Sequence, residues 1–239
     1  MILVEDSDFE NNLGLDLHIR TTIRRGWSFI SETALKIGKD ILEVRGGGEF
    51  TFNGHDNVLP PGASIGSFSV MRAEHVAKTR LKISNPPKTV IFTVGLGQQG
   101  MIEIKVYNEF LAVFVKDAQK NEFDNSVGLM GQFRDGAKLA RDGVTTIDDN
   151  IAFGMEWQVR DTDPQLFTTA KGPQFPVKCR MPDAAAQKMS LRRRRLDEIG
   201  ISWEEAEKAC SSWPEEGRDS CMYDVLSTGD LEMAEAGAM

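Results

Sequence analysis

Residues 13–24 constrain the fold of this chain more than any other stretch, because their side chains alternate in polarity over a full strand length. Apolar or small side chains fill every second position, and polar, mostly charged ones lie between them. This period of two predicts an antiparallel strand with one buried face and one polar face. We expect His18 to be solvated on the polar face. The buried face carries Leu15, Leu17, Ile19, Thr21 and Ile23, and the polar face carries Asp16, His18, Arg20, Thr22 and Arg24.

Shorter strand patterns, separated by glycine and proline turns, follow this strand along the chain. The turn signals are Gly46-Gly47-Gly48, Asn53-Gly54, Pro60-Pro61-Gly62 and Pro86-Pro87. Many short strands with frequent turns are typical of an antiparallel β-sandwich. We therefore predict a mainly β fold, with a sandwich over residues 1–160. Its further strands are expected at residues 27–30, 34–37, 41–44, 50–52, 90–94, 102–106 and 110–115.

The C-terminal third of the chain has a different pattern. Residues 161–182 are dotted with prolines and predict an extended linker. Residues 183–239 predict a helical appendage, in which Ser202 and Glu205 have the spacing of a capping box. Its helices are expected at residues 184–199, 203–213 and 217–226.

Charge and hydropathy exclude two classes of partner. The formal net charge is −8, which argues against a nucleic-acid backbone or an anionic membrane. No apolar run approaches the roughly 20 residues that cross a bilayer. Residues 1–6 also lack the basic and apolar regions of a signal peptide. We predict that this chain binds no nucleic acid and spans no membrane.

A glycine-rich run, Gly95-Leu96-Gly97-Gln98-Gln99-Gly100, matches the spacing of a dinucleotide-binding loop. That loop requires a following helix, whose first amides bind the pyrophosphate. Residues 101–106 alternate as a strand instead. The run therefore predicts a glycine-rich hairpin and no nucleotide cofactor.

Two further glycine motifs lie in the middle of the chain. The first, Val127-Gly128-Leu129-Met130-Gly131-Gln132-Phe133, predicts a compact hairpin, and the second, Phe153-Gly154-Met155-Glu156-Trp157-Gln158-Val159, predicts a strand. They resemble the Cys-Gly-Leu-Cys-Gly-Asn-Phe and Phe-Gly-x-x-Trp-x-Val signatures of von Willebrand factor type D domains. Val127 and Met130 replace the two family cysteines, and Gln132 replaces the asparagine.

The resemblance covers nearly the whole chain and is to type D-containing surface and matrix proteins of marine microalgae. It implies a non-catalytic structural or adhesion module of an extracellular or surface matrix, with other protein domains or copies of itself as partners. The family domain begins with a Gly-Asp-Pro-His strand that has no counterpart here. We therefore expect an open sheet edge at residues 2–4 or 13–24, and self-association through that edge. The motif residues implied are Gly128, Leu129, Gly131, Gln132 and Phe133 in the hairpin, and Phe153, Gly154 and Trp157 in the strand.

Many type D domains hold Ca²⁺ at the first motif, so the resemblance also raises a metal site. The family ligand positions fall on Gln132, Arg134, the carbonyl near Gly136, and Leu139-Ala140. Calcium needs several oxygen ligands, whereas Arg134 brings a positive charge to this position. We predict no bound calcium and no other metal or cofactor, with Arg134 in place of the cation.

The three cysteines are Cys179, Cys210 and Cys221. The last two lie on consecutive predicted helices, and a helical hairpin brings such residues within disulfide reach. Two buried free thiols are the alternative. The extracellular habit of the type D family favours the Cys210–Cys221 bridge and leaves Cys179 without a partner.

One basic run, Arg192-Arg193-Arg194-Arg195, leaves three interpretations open. It is a processing site, a dock for an anionic polymer such as polysaccharide, or a solvated helix surface paired with Asp197 and Glu198. The second of these supports an alternative function, polysaccharide binding. An enzyme, such as a self-cleaving domain, is the third hypothesis, but the Gly-Asp-Pro-His cleavage site of some relatives is absent from this sequence.

Overall fold

The computed structural model describes residues 1–24, 27–76, 88–118, 123–133, 135–169, 201–213, 215–229, 231 and 233–234. The chain forms two compact units. The first consists of Met1–Thr22 and Ser28–Ala170, and the second of Ile23–Trp27 and Lys171–Met239. Residues 161–169 of the predicted linker therefore belong to the first unit, which contains nearly all of the sheet.

Eleven strands in the described residues form one antiparallel sheet. The order is β6-β5-β4-β3-β11-β10-β9-β8-β7, with β2 paired to β3 and β1 paired to β2. This confirms the mainly β fold with C-terminal helices. The strands are β1 (Ile2–Asp6), β2 (Leu15–Arg24), β3 (Trp27–Ile37), β4 (Asp40–Arg45), β5 (Phe50–Phe52), β6 (His55–Asp56), β7 (Ser64–Ile65), β8 (Phe68–Val76), β9 (Lys88–Gly95), β10 (Met101–Tyr107) and β11 (Phe110–Lys116).

The sheet curls, so that β7 returns to contact β4. At this closure the Gly66 amide donates a hydrogen bond of 2.8 Å to Asp40 Oδ2. The main core is built on one face of this sheet, and it includes Leu17, Leu35, Leu42, Phe92 and Ile104. A single curled sheet thus provides the packing that the sequence patterns predicted for a sandwich.

Most strand predictions are confirmed, and the differences have local causes. The strands predicted at residues 27–30 and 34–37 are one strand, β3. Strand β8 was not predicted, because its buried residues Phe68 and Val70 are followed by the polar Arg72 and Glu74. The glycine run at residues 95–100 is a hairpin turn that leads into β10, as expected.

A short helical turn, α1 (Phe9–Asn12), joins β1 to β2. Glu10 and Asn11 in this turn have positive φ angles of 46° and 57°. The buried Phe9 ring packs against Phe68 and Phe123 at centroid distances of 5.8 and 5.6 Å.

The strand predicted at residues 153–159 is wrong, because Phe153 and Gly154 lie in a helix, α2 (Asn150–Glu156), which ends at Trp157. Asp149 caps this helix, since its side chain accepts a hydrogen bond of 2.7 Å from the Ala152 amide. Phe153 and Trp157 are four residues apart, so a helix places both on one face. The same apolar spacing fits a strand, and the aspartate cap favours the helix.

The second unit contains α3 (Trp203–Ala209) and α4 (Glu215–Thr228) in its described part. The predicted capping box is confirmed, with Ser202 and Glu205 each bonding the other's amide. The predicted disulfide is also confirmed: Cys210 and Cys221 are bonded, with their Cα atoms 5.8 Å apart. Both half-cystines lie in a small apolar core with Ala206, Met222, Val225 and Leu226.

Several sequence predictions fall outside the described residues. These are the helix at residues 184–199, the unpaired Cys179, and the basic run Arg192–Arg195 on which the polysaccharide hypothesis depends. Among the helices that the structure describes, none has the length and apolar character needed to cross a membrane.

Candidate functional site on the outer face of the sheet

The face of β1–β4 opposite the main core carries a network of ion pairs and hydrogen bonds. Successive side chains of a strand point to opposite faces, so the burial of Leu17, Leu35 and Leu42 in the core directs their neighbours outward. We call this the outer face. It carries Ile2, His18, Arg20, Glu32, Glu43 and Arg45.

Residues 127–133, which we call the glycine loop, run along the free edge of β1. Val127 and Glu5 exchange two backbone hydrogen bonds of 2.8 and 2.9 Å. The Leu129 and Met130 amides then donate to the carbonyls of Ile2 and Leu3, each at 3.2 Å. The open edge expected at residues 2–4 or 13–24 is therefore wrong, because the loop covers β1 and β2 lies between β1 and β3.

Two positions of the motif have backbone conformations and close contacts that require glycine. Gly128 has a φ of 139°, and a Cβ atom there would lie 2.4 Å from the Leu3 carbonyl oxygen. Gly131 has a φ of 79°, and a Cβ atom would lie 3.0 Å from the Gly136 carbonyl oxygen. Only glycine adopts such conformations without strain, so Gly128 is required by the contact with β1 and Gly131 by the approach of residues 136–137.

The remaining motif residues hold the loop in place. The Gln132 amide donates to the Ala137 carbonyl at 2.8 Å, and its side-chain nitrogen donates to the Asp124 carbonyl at 3.3 Å. The Phe133 ring lies 5.5 Å from the buried Phe123 ring. Leu129 packs beneath the loop, whereas the neighbouring Met130 is 51% exposed.

Helix α2 rests on β1 through a second apolar cluster. Ile2, Phe153 and Trp157 form its buried centre. The Trp157 carbonyl accepts a hydrogen bond of 2.8 Å from the Ile2 amide, and the indole nitrogen donates to the Leu139 carbonyl at 3.0 Å. Gly154 has no close contact to avoid, since a Cβ atom would lie 4.0 Å from Met1 Cε.

The oxygens near the family calcium positions already accept hydrogen bonds within the chain. Asp135 accepts from the Ala137 amide, and Asp142 accepts from Val144 and Thr145. The hydrogen bond from the Thr145 hydroxyl, followed by those from the two amides, lowers the pKa of Asp142. Within the described residues, no three acidic, histidine or cysteine side chains come together as a metal site. Arg134 lies outside those residues, so its proposed role stays a prediction.

The cationic residue Arg141 lies close in sequence to the family calcium positions at Leu139 and Ala140. Its guanidinium donates to the carbonyls of Glu156 and Gln158 at 2.9 and 2.6 Å, and to Asp163 Oδ1 at 2.8 Å. It also lies 5.4 Å from the Trp157 ring. Burial opposes ionisation of Asp163, but hydrogen bonds from Arg160 and Arg141 outweigh it and lower the pKa of Asp163. Arg141 thus fixes the end of helix α2 and the chain that follows.

Residues 161–169, which we call the strap, continue over β2–β4. The contact at β4 is made by Glu43, whose side chain is fully buried. Glu43 Oε2 accepts from both the amide and the hydroxyl of Thr168, each at 2.9 Å. Arg45 donates to Glu43 Oε1 and to Thr168 Oγ1, also at 2.9 Å.

Arg20 on β2 makes the second contact with the strap. Its guanidinium pairs with Glu32 at 2.8 Å and donates to the Thr169 carbonyl. The same group lies 4.0 Å from the centre of the Phe167 ring, which is a cation–π distance. Leu166 is 3% exposed and anchors the strap by burial.

His18 is buried on the outer face, so the expectation that it is solvated is wrong. Burial lowers its pKa to about 4, although the nearby Asp16 and Asp163 favour the charged form. Nδ1 of His18 has no hydrogen-bond partner among the described residues. A polar side chain at an outward position of β2 is therefore covered because other segments cross this face.

Sequence reasoning did not identify Glu43, Arg45 or Thr168. Glu43 lies at a polar position of an alternating strand, which predicts exposure. Its partner Thr168 is 125 residues further along the chain. No local pattern links two such positions, so the contact is visible only in the folded chain.

No family model matches this chain, and no curated protein matches it in sequence. The resemblance to type D domains therefore rests on the two motifs and their surroundings, of which the first forms a loop and the second a helix.

Proposed function

We propose that this chain is a non-catalytic structural module of an extracellular or surface matrix, which acts by assembling with other protein domains or with copies of itself. The observation that carries the proposal is the disulfide between Cys210 and Cys221. Disulfides persist mainly in oxidising environments, which include the cell exterior. Both half-cystines are buried, and the bond joins two short helices whose described apolar core is small.

The outer face supports a structural rather than a catalytic role. Two of its ionisable groups bind the chain's own backbone and hydroxyl groups: the buried Glu43 accepts hydrogen bonds from Thr168, and the half-buried Arg20 donates to Thr169. In the glycine loop, residues 127–130 likewise contact β1, and Gly131 and Gln132 contact residues 136–137 of the chain itself. These contacts stabilise a rigid surface, which is what a matrix module presents to its neighbours.

Two measurements test this function. Antibody labelling of intact, unpermeabilised source cells should reveal the protein at the surface. Light scattering of the oxidised, purified chain should show a mass that rises with concentration. Labelling only after permeabilisation, together with a constant monomer mass and three reactive thiols, would overturn the proposal.

A further inference from the structure

Side chains of the outer face bind three of the last four residues of the strap, Phe167, Thr168 and Thr169, and the fourth, Leu166, is buried. Glu43 accepts from the amide and hydroxyl of Thr168. Arg20 donates to the Thr169 carbonyl and covers the Phe167 ring. The face therefore contacts a backbone donor, a backbone acceptor and two side chains of the segment. A protein surface that binds an extended peptide uses the same combination of contacts.

The charges of this face are paired without the strap. Arg45 holds Glu43 at 2.9 Å, and Arg20 holds Glu32 at 2.8 Å. Thr51 also donates to Asp56 at 2.9 Å. Departure of the strap would therefore leave Glu43 and Glu32 each paired with an arginine. Leaving a buried charge unpaired is the large cost in such sites, and this arrangement avoids it.

The strap is suited to exchange. No helix or strand occurs between residues 161 and 169, so the segment needs no refolding to bind elsewhere. Thr168 and Thr169 are exposed although both are hydrogen-bonded, and Leu166 is the buried anchor. Residues 166–169 are held by a few surface hydrogen bonds, one ring contact and one buried leucine, whereas Asp163 near the start of the strap is paired with Arg141.

We propose that the outer face of β2–β4 is a peptide-binding site, which holds residues 166–169 of its own chain and accepts the same residues of a second copy. The occupant is a second copy because the face has specific contacts for Phe167, Thr168 and Thr169 of this sequence, and Leu166 beside them is buried. This inference rests on the proposed function and assigns a surface to the assembly. One face and one strap per copy allow either a reciprocal dimer or a head-to-tail row.

A labelled peptide tests the face directly. The probe is a fluorescein-labelled peptide of residues 164–171, with a Thr168→Val peptide as the matched control. The protein is the full chain carrying Phe167→Ala and Thr168→Ala, which weakens its own strap and leaves the face intact. We expect saturable binding to this variant. Binding to the unchanged chain should be about tenfold weaker or more, because its own strap competes at high effective concentration.

Mixing two variants tests exchange between copies. One copy carries the weakened strap, and the other carries Arg20→Ala, which impairs the face and retains the strap. Native mass spectrometry should find a mixed complex, lost when Thr168→Ala is added to the second copy. Circular dichroism and melting confirm that each variant is folded. If Arg20→Ala does not fold, Arg20→Lys replaces it, since lysine keeps the charge without the paired donors.

Folded variants that bind no peptide, or that form no mixed complex, overturn this inference. Continued self-association of the unchanged chain in that case leaves the proposed function standing, because assembly then uses another surface. A monomeric, intracellular protein contradicts the proposed function by a separate measurement.

Discussion

The amide and hydroxyl of Thr168 both donate to one carboxylate oxygen of Glu43, at 2.9 Å each, across 125 residues of sequence. This pair fastens the end of the strap to β4 and accounts for a glutamate that is fully buried in a sheet. Burial of an ionised carboxylate is tolerated when it is paired and hydrogen-bonded, and Arg45 completes the set.

Gly128→Ala should destabilise the sheet unit by at least about 2 kcal/mol, from its φ of 139° and the clash with the Leu3 carbonyl. Gly154→Ala is the matched control within the second motif. It lies in a helix with no close neighbour, so alanine should stabilise by about 0.5–1 kcal/mol. Denaturant unfolding of both variants measures the difference. Equal effects would show that the glycine loop does not lie against β1.

The disulfide should stabilise the helical unit by about 3 kcal/mol, since it closes a short loop. Cys210→Ser with Cys221→Ser should therefore increase hydrogen exchange in α3 and α4 and leave the sheet strands unchanged. Alkylation without reductant should label Cys179 and spare the bonded pair. Equal labelling of all three cysteines would show that Cys210 and Cys221 are not bonded in solution.

Sub-millimolar calcium should leave the melting temperature unchanged, because Arg134 occupies a family ligand position and the described residues bring no three acidic side chains together near Asp135 and Asp142. Calorimetry gives the binding heat directly. A rise of the melting temperature with calcium, lost in Asp135→Ala, would contradict this expectation and restore the family metal site.

His18 should make the sheet unit less stable in acid. Burial lowers its folded pKa to about 4 from an ordinary value of 6.5, so the unfolded chain binds the proton first. The contribution is present above pH 6.5 and is lost as the pH falls towards 4, by about 3 kcal/mol. His18→Leu should flatten this slope in unfolding measurements, and His55→Gln, at an exposed position of β6, should not.

Asp224 should make the helical unit more stable in acid, which is the opposite of the effect of His18 on the sheet unit. Burial raises its folded pKa to about 6 from 3.8, so the folded chain binds the proton first. The unit should gain stability as the pH falls from 6 to 4. Hydrogen exchange in α4 measures this gain. Asp224→Asn should abolish it, whereas Asn at the exposed Asp219 of the same helix should retain it.

Local patterns predicted most of the β elements, and the type D resemblance decided between a disulfide and two free thiols. Local patterns failed where a strand and a helix share the same apolar spacing. Apolar residues at positions 153 and 157 fit a strand or a helix, and the Asp149 cap decides for the helix. The polarity of His18 predicted exposure, but the burial of an outward position depends on segments that cross the face later in the chain. The motif at residues 127–133 predicts a compact glycine-rich hairpin, but it does not predict that this hairpin contacts β1.

The sequence by itself determined the elements whose causes are local. Alternation over residues 13–24 specifies β2, the Ser202–Glu205 spacing caps α3, and the positions of Cys210 and Cys221 permit the disulfide. These features depend on neighbours within a few turns of chain. Only the tertiary structure decided that the glycine loop closes β1 and that Thr168 lies on Glu43. Such contacts join positions more than a hundred residues apart, so they contribute to stability only once the chain has folded and brought the two segments together.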